Sequence, residues 1–440
     1  METPQLGTGM RPPLRQTTLV MALAFMCVVA VLSYRATPRL NVSGHPDGTN
    51  WVLQDFRDAV YFPVVALLHG DNPYDAARYM NAYPVWFPYP LYTPVNLAMH
   101  LPFGFLPFDM AERAYYLCGL LLTLLLARLT LRCCGLTPEW ASTYAVATLI
   151  LLSRPGQMNL LLGQVALQGV IGVYVALYYA RTRPRLAGLG LALSLFKPSF
   201  GAPLAVLMLC RGDGRAVVTG MVIAAVASAG VTEALLRAAG GLGPLLASLV
   251  NSHQRFAVQA FNAPISSPFR VDTAALLARV LAARLGHAEQ LAIGSGILIV
   301  GAVALACIRV RRLSTPASEH LSAALACLTV LICTYHQAYD ALLLVAPVTA
   351  LAASCWLPGG RAHPSLRWVL LALLVVPAFN YLASATAIEA LRIGGAAWLV
   401  TTSINGVALL VAWTLCVILA LWPAAVARIL STQSRVDDRR

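Results

Sequence analysis

The stretch Leu186–Cys210, LAGLGLALSLFKPSFGAPLAVLMLC, decides how the rest of the chain is read. It is apolar and long enough to cross a bilayer as one helix, which needs about 20 residues. Yet Arg181, Arg183 and Arg185 precede it, and Arg211 and Arg215 follow it. Short arginine-rich segments stay on the cytoplasmic side, so both ends belong to one face. The conflict disappears if the stretch enters the membrane and returns. The break falls naturally at Lys197-Pro198, because proline lacks an amide donor and disfavours helix in the residue before it. A backbone break at that depth must face protein or a water-filled cavity.

Outward from this stretch, apolar runs recur near 17–34, 114–131, 141–153, 160–180, 216–235, 290–308, 321–335, 341–356, 368–385 and 396–424. The chain is 59% hydrophobic and 11% charged over 440 residues, against about 25% charged in a soluble domain. Several soluble domains, disorder, a coiled coil and a secreted disulfide scaffold are thereby excluded. The expected fold is an all-α polytopic membrane bundle of about 11–12 helices. Arg11/Arg15, Arg128/Arg132, Arg309/Arg311/Arg312, Arg361/Arg367 and Arg428/Arg435 mark the same face as the clusters around 186–210. That gives N-in and C-in, with a cytoplasmic N-terminus at 1–16, a membrane domain at 17–430 and a cytoplasmic tail at 431–440. Residues 35–113 and 236–289 become large extracytoplasmic loops. Arg11 and Arg15 precede the first run without a small-residue cleavage site, so it reads as an anchor.

The charge excess is 31 Lys+Arg against 18 Asp+Glu, giving +13. No basic tract carries interleaved aromatics, so the excess is topological and nucleic-acid binding is not indicated. The cysteines form no C-x-x-C pair and read as small buried hydrophobes. Motifs for a P-loop, a dinucleotide fold, a G-x-S-x-G elbow and a D-x-D pair are all missing, as is H-E-x-x-H.

Nearly every unusual polar cluster falls opposite the arginine face. In the first loop Gln54-Asp55-Phe56-Arg57-Asp58 places two acids at a helix start. Asp55 suits an N-cap with Asp58 in a loose capping-box relation, or one of them serves as a general base. Tyr83 to Pro94 is too rich in proline and aromatics for a regular helix. It reads as an interfacial belt or as a rigid groove that stacks on sugars. Lys197 is the sole lysine of the chain, in an apolar stretch beside proline. An ionisable group at membrane depth is a functional candidate, and a compact ammonium suits a phosphate. His336 and Asp340 share a face if their helix continues; they fit an oriented base, a phosphate clamp or a loop-closing pair. Too few ligands accompany them for a metal. His253, Arg255 and Arg270 offer a cationic patch or a solvated loop face, and Arg154 to Asn159 with Gln164 place amides near the same side.

These residues together bear a resemblance. Asp55-Phe56 with Tyr61, then Leu67-Leu68-His69-Gly70-Asp71-Asn72-Pro73-Tyr74-Asp75, resembles the opening of glycosyltransferase family 87. Tyr92-x-Pro94, Leu101-Pro102, Gly163-Gln164, Lys197-Pro198 and Tyr335-x-x-x-Tyr339-Asp340 are similar to that family as well, over roughly 50–345. The resemblance implies a GT-C-like membrane enzyme that takes a hexose, mannose above all, from a polyprenyl-phosphate donor. It implies an acidic base in the first loop: Asp55, with Asp58 as the alternative. Lys197, His253, Arg255 and His336 are then expected at the donor phosphate. Tyr61, Tyr74, Tyr89, Tyr92, Gln164, Tyr335 and Asp340 are expected around the substrates. The lipid-linked donor is a co-substrate, no cofactor or metal is called for, and the acceptor is a lipid or glycan at the plasma membrane. A non-enzymatic flippase of lipid-linked sugars, or a structural subunit of an envelope complex, would use the same groove without needing the carboxylate.

Overall fold

The computed structural model describes residues 14–36, 52–281, 288–311, 316–354 and 364–421. The polar linker Asn41–Asn50, both termini and Arg11, Arg312, Arg361, Arg428 and Arg435 lie outside the described residues. Within them the chain is mainly helical and holds no strand, only an isolated bridge between Arg270 and Gln337. It is an all-α polytopic membrane protein. Gln16–Ala36, Phe108–Cys133, Gly214–Ala239, Ser365–Ala383 and Gly395–Leu421 are long and apolar enough to cross a bilayer. Trp140–Leu152 and Arg154–Leu162 are together apolar and long enough to count with these, and meet at a 79° bend, as a broken span or a re-entrant segment does.

Of the other apolar runs, two form the helices Ala288–Arg311 and Pro316–Cys333, and the rest form the shorter helical stretches Ala166–Tyr179, Pro198–Arg211 and Ala338–Ala352. Among the described residues, three of the runs break where polar residues gather: at Ser153, at Gly163-Gln164 and at Lys197. The bend at Ser153 shows how. Ser153 is extended, its Oγ accepts from Gly156 N at 3.2 Å, and Pro155 opens the next helix, a serine cap with proline in the first turn. A Cβ on Gly156 would lie 1.9 Å from the Ile150 carbonyl oxygen, so the bend needs glycine there.

The expected return at Lys197 is present. Pro184–Ser194 and Pro198–Arg211 are separate helices, with Lys197 extended between them (φ −111°, ψ 111°). Their far ends meet: Arg181 and Pro184 share a cleft with Arg211, Gly212 and Asp213. Glycines let the incoming half pack tightly, as small residues do between membrane helices. A Cβ on Gly190 would lie 2.6 Å from the Gly172 carbonyl oxygen, and one on Gly188 would lie 2.7 Å from Thr219 Cβ.

The first loop is folded onto this hairpin. Residues 54–68 run as one helix with a π turn over Arg57–Tyr61. Its cap is Leu53, in the left-handed region, not Asp55, and no side chain caps it. Leu53 instead donates its amide to the Leu161 carbonyl at 2.7 Å, which ties the helix start to the bent helix pair. Asp55 sits in the first turn, where the helix dipole favours a carboxylate. The Tyr83–Pro94 segment is irregular, as its composition requires, and lies over the hairpin tip. Thr93 N donates to Phe196 O and Thr93 Oγ1 donates to Leu195 O, each at 2.9 Å.

Gly190→Val is expected to destabilise the protein by about 1–3 kcal/mol, because the clash is with backbone that cannot give way. Gly230→Ala, on a helix with nothing within 4 Å of the new Cβ, is expected to be neutral or stabilising. Thermal unfolding in mild detergent compares the two; equal melting temperatures would remove the packing argument.

Candidate active site

Opposite the arginine-lined cleft lies a cavity of about 540 Å³, a size suited to a small-molecule group. One wall is a stripe of the helix Arg154–Leu162: Arg154, Gln157, Met158, Leu161 and Leu162, at the spacing of one helix face. Trp86, Phe87, Pro90 and Tyr92 face it from the first loop, and Phe256, Phe261 and Phe269 from the second. Gln337 and Tyr339 close one end, with Tyr381, Ser384 and Thr386 at the rim.

Asp55 lines this cavity, and its Oδ2 accepts a short hydrogen bond from Gln164 Nε2. The approach depends on Gly163, left-handed at φ +71°, where a Cβ would stand 2.6 Å from Phe56 Cβ. Burial pushes the Asp55 carboxyl up to about 7; the Gln164 hydrogen bond and the Lys197 charge hold it from rising further. A carboxyl that titrates near neutrality inside a cleft has the character of a general base.

Asp58, one turn on, has different surroundings. It is fully buried and absent from the cavity lining, and its Oδ2 accepts from Trp86 N at 2.9 Å and Phe87 N at 3.3 Å. Tyr79 donates its hydroxyl to the Asp58 carbonyl at 2.9 Å. Burial drives this carboxyl well above the usual range, against the pull of the Trp86 amide. Asp58 fastens the aromatic segment from behind.

Lys197 is buried at the hairpin tip and donates to both Asp340 oxygens, at 2.9 and 2.7 Å. Its Nζ stands 5.0 Å from the Phe200 ring centre and 5.1 Å from that of Tyr339. Asp340 also receives His336 Nδ1 at 2.8 Å and Gln337 N at 3.1 Å. His336 Nε2 faces Ser199 O at 3.2 Å. The His336–Asp340 pair forms across a turn, since the helix begins only at Ala338. Lys197, His336 and Asp340 thus come together, but behind the cavity wall, with Tyr339 in front.

Of the first-loop tyrosines, Tyr92 alone lines the cavity. Tyr74 donates its hydroxyl to Tyr92 O at 2.5 Å, and Tyr89 packs against Tyr74 and receives Asn96 Nδ2 at 3.0 Å. Both sit behind Tyr92. Tyr61 is further off, donating to Leu106 O at 2.9 Å within a phenylalanine cluster. The Tyr335 hydroxyl receives Gln337 Nε2 at 2.5 Å and bonds Asn262. His253 and Arg255 are exposed on Leu242–Ala257 and outside the lining, while Arg270 is buried on Asp272 at 2.7 Å, so the three do not form one patch.

A sequence model of glycosyltransferase family 87 matches residues 91–335, more than half of the chain. The chain belongs to glycosyltransferase family 87. It is a membrane-embedded glycosyltransferase. No curated protein and no solved structure matches it. The matched range holds Tyr92, Gln164, Lys197 and Tyr335, and begins after Asp55 and Asp58.

Polar cavity residues that sequence reasoning passed over in this transferase include Arg35, Gln337, Tyr381 and the guanidinium of Arg154, and Phe256, Phe261 and Phe269 were missed as well. Both arginines carried a signal, since each lies outside the clusters by which the sequence assigns arginine to one face.

Two measurements probe these assignments. Asp58→Ala strands the amides of Trp86 and Phe87 and is expected to cost about 1–3 kcal/mol for each that stays buried; Asp58→Asn, which still accepts, keeps most of the melting temperature. Lys197→Met takes the buried ammonium away from Asp340 and leaves it only His336 and the Gln337 amide, with an expected loss of about 3–5 kcal/mol. The double variant K197M/D340N should be more stable than K197M alone, and a double variant that is less stable would show that charge is not the issue.

Proposed function

We propose that this transferase moves a hexose, with mannose suggested by the family resemblance, from a polyprenyl-phosphate donor to a lipid or glycan acceptor. The reaction is placed on the extracytoplasmic face of the plasma membrane, with both termini inside. The observation that carries this reading is the Asp55 carboxyl: of Asp55 and Asp58 it alone lines the cavity, oriented by Gln164.

In the proposed reaction an acceptor hydroxyl gives its proton to Asp55 while its oxygen attacks the anomeric carbon. The bond from that carbon to the phosphate oxygen breaks on the opposite side, and polyprenyl phosphate leaves, so the anomeric configuration inverts. The phosphate leaves as a stable anion, so the chemistry asks for a base and for positive charge, with no cofactor or metal. Lys197 and His336, gathered on Asp340 behind Tyr339, are the proposed donor-phosphate residues. Tyr92, Gln164 and Tyr339 would bound the sugar. His253 and Arg255, exposed away from the lining, take no part in it.

Activity is the test, with purified protein, polyprenyl-phosphate mannose and a panel of membrane-lipid acceptors. Asp55→Asn is expected to lower transfer by about 10²–10⁴-fold, while Asp58→Asn retains most of it. The base must be deprotonated to work. Since burial places its titration at about 7, rate should rise with pH and level off above that value. Gln164→Leu removes a bond that holds the carboxyl down, so the rising limb should move to higher pH. Full transfer by Asp55→Ala would sink the base assignment.

A further inference from the structure

Two cations of the cavity are unused by the mechanism. Arg154 is 2% exposed and lines the cavity wall. Its Nη2 donates to Ala383 O at 2.8 Å and its Nη1 to Asn380 O at 3.4 Å, while its Nε is buried without a partner. Arg35 donates through Nη1 to Gln157 Oε1 at 3.2 Å. All these acceptors are neutral. Among the described residues no carboxylate forms an ion pair with either arginine. A buried guanidinium without a counter-charge is costly unless an anion joins it.

The wall helix sets how far these cations stand from the reaction. Arg154 opens the helix Arg154–Leu162, and Gln164, which holds Asp55, follows its other end. Nine helical residues rise about 13 Å. A hydroxyl in position to attack is about 3 Å from the anomeric carbon, and the donor phosphate is bonded to that carbon through one oxygen. That phosphate therefore stays near Asp55 and Lys197. The charge that acts on the Asp55 carboxyl there is that of Lys197. Arg35 closes the last turn of the span Gln16–Ala36 and is exposed. Arginines at a span's end sit at the level of lipid headgroups.

We infer that Arg154 and Arg35 form a second anion site, apart from the donor phosphate, which holds the phosphate of a lipid-anchored acceptor. The inference rests on the reading of Asp55 as the base and names the acceptor class: an anionic lipid, whose hydroxyl-bearing group extends along the wall helix toward Asp55.

Native mass spectrometry of the full chain in neutral detergent tests it without using activity. The probes are phosphatidylglycerol, phosphatidylcholine, a polyprenyl phosphate and inorganic phosphate. Wild type is expected to retain phosphatidylglycerol over phosphatidylcholine. R154Q and R35Q should each weaken phosphatidylglycerol binding at least about tenfold and leave polyprenyl phosphate unchanged. Arg35 is exposed, so R35Q keeps the test decisive if R154Q fails to fold. Loss of polyprenyl phosphate binding in these variants would assign the arginines to the donor and overturn the inference. So would unchanged binding of both lipids, or inorganic phosphate that displaces phosphatidylglycerol at equal concentration. A wild type that binds phosphatidylglycerol but no polyprenyl phosphate would instead defeat the donor reading and leave the arginine site standing.

Discussion

The ion pair between Lys197 and Asp340 is the constraint on which the site is built. An ammonium at membrane depth must be met by a counter-charge, and here both Asp340 oxygens meet it. To do so the tip of the hairpin 184–211 has to touch the turn that opens Ala338–Leu344. Everything else at that end is then positioned. Thr93 is bonded to the backbone of the tip, which draws the aromatic segment over it. Tyr339, next to Asp340, presents its ring to the cavity on one side and to Lys197 on the other. The arginines 181 and 211, at the hairpin's other end, share a cleft remote from this one. One buried pair thus gives the bundle a polar end for chemistry and a basic end for orientation.

Asp55 and Asp58 show how surroundings divide labour between identical side chains. They lie three residues apart on one helix, Asp55 in its first α turn and Asp58 within the π turn Arg57–Tyr61 that follows. Asp58 points at two amides of the next segment and is spent on holding it. Asp55 points at a cavity and meets a single side-chain donor. Both are raised by burial, but Asp55 keeps an open side for a ligand. A π turn commonly marks a functional position in a helix, and here it lies where the structural and the cavity-facing acid part.

Much of this was legible beforehand, and the reason is charge. Arginine at both ends of 186–210 forced a return at Lys197-Pro198, and the helices Pro184–Ser194 and Pro198–Arg211 make it. The same sorting put Asp55, Gln164, Lys197, His336 and Asp340 at one end. What stayed hidden depends on contacts that spacing does not encode. Residues 154–159 read as a loop between spans, yet Ser153 and Pro155 start a new helix whose stripe becomes the cavity wall. Tyr61, Tyr74 and Tyr89 look no different in sequence from Tyr92, but they pack behind it. The cap at Leu53 follows from its bond to Leu161, a contact between segments a hundred residues apart. His253 and Arg255 carry the right chemistry on the exposed face of their helix.

Burial also sets the terms on which a base in this cavity can act. A lining dominated by Phe87, Phe256, Phe261, Phe269 and Leu161 lowers the local dielectric and strengthens each remaining electrostatic contact. The same desolvation raises the Asp55 carboxyl, which makes it a stronger proton acceptor and a scarcer carboxylate at neutral pH. Catalysis by a base works best when those two tendencies balance, with its titration near the working pH. Gln164 and the Lys197 charge pull the value down against burial, and the balance lies near 7. Lys197 lends that pull from the hairpin tip while it is paired with Asp340. The pair that organises the fold therefore also tunes the acid beside it, which ties stability and reactivity to the same buried lysine.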